Sequence, residues 1–291
     1  MTNIRPSPIA GTWYPGDAYS LAAEVTSYLE RAEPKVPRGR ILGIVVPHAA
    51  YRYSGAIAAF AFKCVQGSRP EVVVVLSPLH ATHPAAVLTS AHSAYQTPLG
   101  PVGVDSALLH RVSRRIEESL GKPMFPILCD REHSVEIELP FLQVAIGSFR
   151  LLPIMIRDQS AEVAEAVGRA LAQELEGQKA LFVASSDLSH HRPEREARTM
   201  DYRFLSRLLS FDPVAVVRQD DLRTAAACGR GAIAAALWAT REMGANRVTL
   251  LKEGTSAQAT GDERSVVGYA SAVIWQSEHR AGPLPGLAEA T

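Results

Sequence analysis

Three segments of this sequence end an apolar run on a histidine or on an aspartate–histidine pair. Ile41–Val46 leads into Pro47-His48, Glu71–Leu76 into Ser77-Pro78-Leu79-His80, and Ala180–Ala184 into Ser185-Ser186-Asp187-Leu188-Ser189-His190-His191. Imidazoles and carboxylates are the ligands of zinc, iron and copper sites, and they also make acid–base pairs. One histidine after a strand reads as a loop residue bonded to backbone; three coincident strand ends read as a metal or acid–base site. Cys228 opens CGRGAIAAALWATREM, an amphipathic helix pattern. A thiol at a helix N-terminus lies among exposed N–H groups that favour the thiolate, a soft ligand or a nucleophile. The alternative for Cys228 is a buried structural cysteine, which is the reading taken for Cys64 and Cys129.

Two further stretches carry polar or aromatic groups. Arg131–Pro140 places His133 and Glu136 three apart, on one face if the segment is helical. It reads as a charged, capped helix start with Pro140 in the first turn, or alternatively as a network supporting a site. Gly11-Thr12-Trp13-Tyr14-Pro15 puts two aromatics in a loop, to line a pocket or to cover the core. His83, His92, His110, His191 and His279 lack a comparable placement and read as structural.

The elements that must position these groups follow from the patterning. Ile41–Val46 and Glu71–Leu76 are continuous and β-branched, as parallel strands covered on both faces require, and Leu151–Ile156 and Ala180–Ala184 are similar. Val248–Leu251 and Val266–Trp275 complete the strands, the last long enough to include an antiparallel partner. Helical periodicity marks Asp17–Glu30, Ser106–Leu120, Ser160–Leu175, Ala197–Leu209 and Cys228–Met243. The expectation is one α/β domain over residues 1–276, a central, mostly parallel sheet with helices on both faces and right-handed crossovers. The polar, Pro/Gly-rich residues 277–291 read as a frayed tail. In such a sheet ligands sit outside the carboxyl ends of the strands, where the histidines fall.

Composition removes several function classes. Among 291 residues, Lys+Arg and Asp+Glu are 30 each, so no basic excess exists to track a nucleic-acid backbone. No apolar run approaches the roughly 20 residues of a membrane span. Met1–Pro8 has no apolar core of a secretory signal, and three widely spaced cysteines form no disulfide framework. A cytoplasmic protein is expected.

Five strings recur in one order: PHAAYRYSG from Pro47, SPLHATH from Ser77, REHSVEIELPFL from Arg131, SSDLSHH from Ser185 and ACGRGAI from Ala227. With the opening GTWYP and the closing TGDERSVVGYAS, they resemble the Memo-like family, whose bacterial and archaeal members are called AmmeMemoRadiSam system protein B. The resemblance runs from about Arg5 to Trp275. It implies a fold similar to class III extradiol dioxygenases, a metal held by His48, His80 and Cys228, an acid–base pair of Asp187 and His190, and pocket aromatics Trp13 and Tyr53. It also implies Fe(II) or Cu as cofactor, a small-molecule or peptide ligand, and radical SAM and AMMECR-type proteins as partners. Ala50 and Ser77 stand where the family usually has glycine. Three functions fit these residues: a metal-dependent oxidoreductase, a non-catalytic peptide- or metal-binding protein, and a hydrolase using metal-activated water or the Cys228 thiol.

Overall fold

Alternate side chains of the central strands enter two separate cores, which makes the molecule three layers thick. Val72, Val74 and Leu76 pack on one side and Val73 and Val75 on the other, all fully buried. A strand buried on both faces gains apolar burial from every residue, which is why these runs are continuous rather than alternating. The computed structural model describes residues 3–128, 130–218 and 227–277.

The chain begins with β1 (Ile4–Arg5), α1 (Ala18–Arg31), β2 (Gly39–Val46), α2 (Tyr51–Cys64) and β3 (Val72–Pro78). Short strands β4 (Val87–Ser90), β5 (Ala94–Thr97) and β6 (Gly100–Gly103) precede α3 (Ser106–Leu120) and β7 (Phe125–Ile127). A 3₁₀ turn at Glu136–Glu138 leads into α4 (Leu139–Ile146), then β8 (Arg150–Ile156), α5 (Ala161–Glu174), β9 (Ala180–Ser185) and β10 (His190–Arg192). The remainder is α6 (Glu194–Leu209), α7 (Pro213–Val217), α8 (Arg230–Glu242), β11 (Arg247–Thr255), α9 (Ala257–Thr260) and β12 (Val266–Ser277).

Among the described residues, nine strands form the main sheet in the order β10-β12-β2-β9-β3-β8-β4-β7, with β11 paired to β12. Its centre, β2-β9-β3-β8, is parallel, and antiparallel strands β12 and β4 flank it. A separate three-stranded sheet joins β1, β5 and β6. Helices α3, α5 and α8 cover one face of the main sheet, and α1, α2 and α4 the other. This is the single-domain α/β architecture expected, and β12 does take antiparallel partners, β2 and β11.

Differences from the pattern reading have local causes. Helix α2 lacks a sequence signature: Ala50 offers no capping side chain and Gly55 sits inside the helix, so the usual start signal and propensity are missing. Strands β4 to β7 have three or four residues each, too few to show a period. Ser277 closes β12 rather than opening a tail, and the rest of the expected tail lies outside the described residues. No helix among the described residues is long and apolar enough to cross a membrane.

Candidate metal centre

Strand register levels three carboxyl ends. Val46 pairs with Ser185, and Leu76 pairs with Ala184. His48, Asp187 and His80 therefore leave neighbouring strands at one edge, each two residues past its strand. The backbone N–H of His48 donates to Oδ1 of Asp187 at 2.8 Å, which locks the first of these ends to the other.

His48 is 1% exposed and its ring is held at Nδ1. Nδ1 lies 2.9 Å from Oγ of Ser185, whose hydroxyl donates to Oε1 of Glu138 at 2.8 Å. With that hydroxyl proton committed, Ser185 accepts from Nδ1–H, so Nε2 keeps its lone pair. Burial lowers the ring well below its ordinary value, helped by His133 and His80, and burial raises the Glu138 carboxyl.

Glu132 organises the second and third imidazoles. Its carboxylate accepts from Nδ1 of His80 at 2.9 Å, from the His80 backbone N–H at 2.7 Å and from the His133 and Ser134 N–H groups at 3.0 and 3.1 Å. Burial alone would raise this carboxyl, but the hydrogen bond and charge of His80 outweigh it and hold Glu132 below the usual carboxylate range. The same hydrogen bond raises His80. His133 stacks on His80 with centroids 4.8 Å apart and 14° between planes, and burial pushes it down to about 4. One ligating atom from each of His48, His80 and His133 lies within 4.8 Å of the others. Three imidazoles that converge in this way, with Nδ1 of His48 held by Ser185 and Nδ1 of His80 held by Glu132, are the donor set of a transition-metal ion, so these residues fit a metal.

Cys228 is not in that mutual set, yet its sulfur lies 3.2 Å from Nε2 of His48. It occupies the turn two residues before α8 rather than the helix itself, with its N–H on the Asp187 carbonyl at 3.3 Å. The expected lowering of its thiol by the helix end is overturned: desolvation of the sulfur, then the Asp187 carboxyl, push it up. A cation close by reverses that balance by stabilising the thiolate. Gly229 permits this docking, since a Cβ there would overlap the Ser185 carbonyl oxygen.

His48, His80 and His133 line a cleft of about 710 Å³, a volume suited to a small-molecule ligand. Asp187, His190, Trp13 and Tyr53 all line it. Asp187 is buried, which pushes its carboxyl up to about 7, and desolvation holds His190 below its ordinary value. Trp13 packs on His133 at 4.3 Å between centroids.

Two histidines of the cleft, His133 and His191, carry no clear mark in the sequence pattern. His133 stands ahead of the helix, which begins only at Leu139, and the turns between them bring His133 onto His80. His191 was set aside, yet it lines the cleft with φ of 54°. The other histidines set aside have local roles or solvent: His92 bonds Asn3 at 2.9 Å, His83 accepts from Ala85 N–H at 3.0 Å, His110 is exposed, and His279 lies outside the described residues. Cys64 is half-buried without a disulfide, and Cys129 is outside the described residues.

The family profile described as Memo-like protein matches residues 5–273. This chain belongs to the Memo-like family. Relatives of similar length carry the description MEMO1 family protein. That of Nitrosopumilus maritimus is 33% identical over 274 residues, 91% of this chain and 98% of the relative. That of Ignicoccus hospitalis is 34% identical over 283 residues, covering 92% and 97%. That of Methanococcoides burtonii is 35% identical over 274 residues, covering 93% and 100%. The crystal structure of an uncharacterized protein of Escherichia coli K12 superposes with a TM-score of 0.54 at 17% identity, over 81% of this chain and 100% of that one. At that identity the likeness concerns the fold alone. In this Memo-like chain the imidazole cluster therefore sits at the sheet edge of the family fold.

Proposed function

We propose that this Memo-like chain binds a redox-active metal, iron or copper, through His48, His80 and Cys228, with His133 completing the donor group, and acts as an oxidoreductase on a small molecule in the adjoining cleft. The observation that supports this most is the convergence of three imidazoles within 4.8 Å while Ser185 and Glu132 occupy the far nitrogens of two of them. A ligand pair on one metal, at bonds of about 2.0–2.3 Å, stands roughly 3–3.5 Å apart, so the 3.2 Å between Cys228 sulfur and His48 Nε2 suits two donors to a shared ion. Thiolate beside imidazole is a softer set than a two-histidine-one-carboxylate centre, which favours copper or thiolate-bound iron.

Bound there, the metal would supply electron exchange and an open position for dioxygen or substrate. The protein's own groups do the rest. Trp13, Tyr53 and Tyr269 present aromatic walls to a bound molecule. Asp187 fixes the His48 backbone and lines the cleft, and His190 lines it as well, so these two are the groups to exchange a proton with substrate. The radical SAM and AMMECR-type partners belong to the same proposal, and recovery of neither from a native lysate removes them.

Elemental analysis of protein purified anaerobically, wild type against His48→Ala, tests the centre. About one iron or copper per chain, lost in His48→Ala, is expected; a metal-free wild type overturns it. Oxygen uptake with a panel of catechols then tests the extradiol-type reaction. A metal-loaded protein that takes up no oxygen across the panel leaves a metal-binding role without turnover.

A further inference from the structure

The guanidinium of Arg5 is 1% exposed at the start of the chain, yet its hydrogen bonds reach residues 125–131 positions away. Nη1 donates to Oε2 of Glu136 at 2.6 Å, and Nε and Nη2 fork onto the Asp130 carboxylate at 3.1 and 2.8 Å. Nη2 also donates to the backbone carbonyl of Glu132 at 2.6 Å. The Tyr95 ring covers the guanidinium at 4.8 Å. Only Arg can satisfy a carboxylate fork, a second carboxylate and a carbonyl from one planar group.

We infer that Arg5 is a positioning residue for the cluster, holding the 130–136 turn so that Glu132 orients His80 and His133 faces it. This deepens the metal reading and rests on it. The route is short: Arg5 holds the Glu132 carbonyl, and the Glu132 carboxylate holds both the N–H and the Nδ1 of His80. The other end of the network reaches the cleft wall. Glu136 Oε1 accepts from the Tyr14 hydroxyl at 2.7 Å, and Tyr14 follows Trp13, which packs on His133. One buried ion group thus ties β1 and the loop that carries Tyr14 to the distant 130–136 turn.

Stability is a poor explanation for such a group. A buried ion pair repays its desolvation only with full hydrogen bonding, and apolar residues of similar volume commonly serve stability as well. Hydrogen-bonded groups behind metal ligands fix the orientation of those ligands, and the Arg5 network stands in that place.

The test uses the full chain as wild type, Arg5→Lys, Asp130→Asn and a control, Leu171→Ala, whose side chain is buried on the opposite face of the sheet. Each is measured for melting temperature without metal, for Co(II) affinity by chelator competition, and for the histidine ring ¹⁵N–¹H signals of the metal-free protein. Lysine keeps the charge but loses the fork. Arg5→Lys is expected to weaken Co(II) about tenfold, as loss of groups behind metal ligands does, and to shift the His80 Nδ1–H signal. Leu171→Ala is expected to lose melting temperature while keeping both. Co(II) affinity and a His80 signal in Arg5→Lys equal to wild type, or equal losses in the control, overturn the inference. If Arg5→Lys does not fold, Asp130→Asn carries the same comparison. If wild type binds no Co(II), the metal reading fails by itself and the His80 signal alone decides the role of Arg5.

Discussion

The sulfur of Cys228 lies 3.2 Å from Nε2 of His48, across 180 positions of sequence. Both residues are held by the end of β9: His48, which leaves β2, through the Asp187 and Ser185 side chains, and Cys228 through the Asp187 carbonyl and the Ser186 hydroxyl that accepts from Gly229 N–H. Ser185, Ser186 and Asp187 at the end of one strand therefore set the spacing between a thiol and an imidazole.

Thiol chemistry reports this contact. In metal-free protein Cys228 should react slowly with a disulfide reagent, because desolvation raises its thiol, and loading a metal should block it altogether. Cys64, pushed up to about 11 by burial, provides a slow internal reference. Reaction of Cys228 at the same rate with and without metal would remove the sulfur from the coordination sphere.

Gly229→Ala should loosen the same contact. The added methyl overlaps the Ser185 carbonyl oxygen, so β9 and the Cys228 turn must separate, at a cost of about 1–3 kcal/mol. Thermal melting reads the cost, and a faster Cys228 reaction reads the separation. Unchanged reactivity in a destabilised variant would show that the turn moves as a unit.

Ser185→Ala breaks the link between His48 and Glu138. It removes the acceptor that holds Nδ1–H and strands the Glu138 carboxyl, itself 1% exposed, without its hydroxyl donor. The expected result is a 10–100-fold loss of metal affinity and a stability loss of about 1–3 kcal/mol. Isothermal titration and urea unfolding measure the two separately; unaltered affinity would mean that His48 needs no fixed tautomer.

Trp13 offers an optical signal. Its ring packs 4.3 Å from His133, whereas Trp238 and Trp275 belong to α8 and β12 away from the cleft lining. Cu(II) should quench part of the tryptophan emission in wild type, and Trp13→Phe should lose that part while binding copper as before. Equal quenching in both proteins would place the copper elsewhere.

Stability should vary with pH through Asp201. Its Oδ1 accepts from Ser189 N–H at 2.9 Å beside the close backbone of Gly268, and burial pushes its carboxyl up to about 6 from 3.8. The neutral form is thus favoured in the folded state. Its contribution is fully present below pH 3.8 and is lost as pH rises through 6, amounting to roughly 3 kcal/mol at most. Asp201→Asn keeps an acceptor for Ser189 and removes the titration. Urea unfolding should find it gaining on wild type between pH 4 and pH 7.5, and parallel curves would refute the assignment.

The sequence by itself determined the local half of this structure. Ile41–Val46, Glu71–Leu76 and Ala180–Ala184 are β-branched runs that bury both faces, and a parallel sheet follows from them. His48, His80 and Asp187 were legible because each directly follows such a run, where sheet topology places ligands. Tertiary structure alone decided the rest. His133 joins the cluster from an irregular turn without periodicity, held by Glu132 and by Arg5 from the far end of the chain. The Cys228 contact depends on a glycine close to another strand's carbonyl, and the Cys228 thiol is raised because its sulfur is desolvated beside Asp187. Periodicity records how much of a residue is buried; which buried polar groups meet is set by hydrogen bonds over more than a hundred residues, and those form only when the layers close.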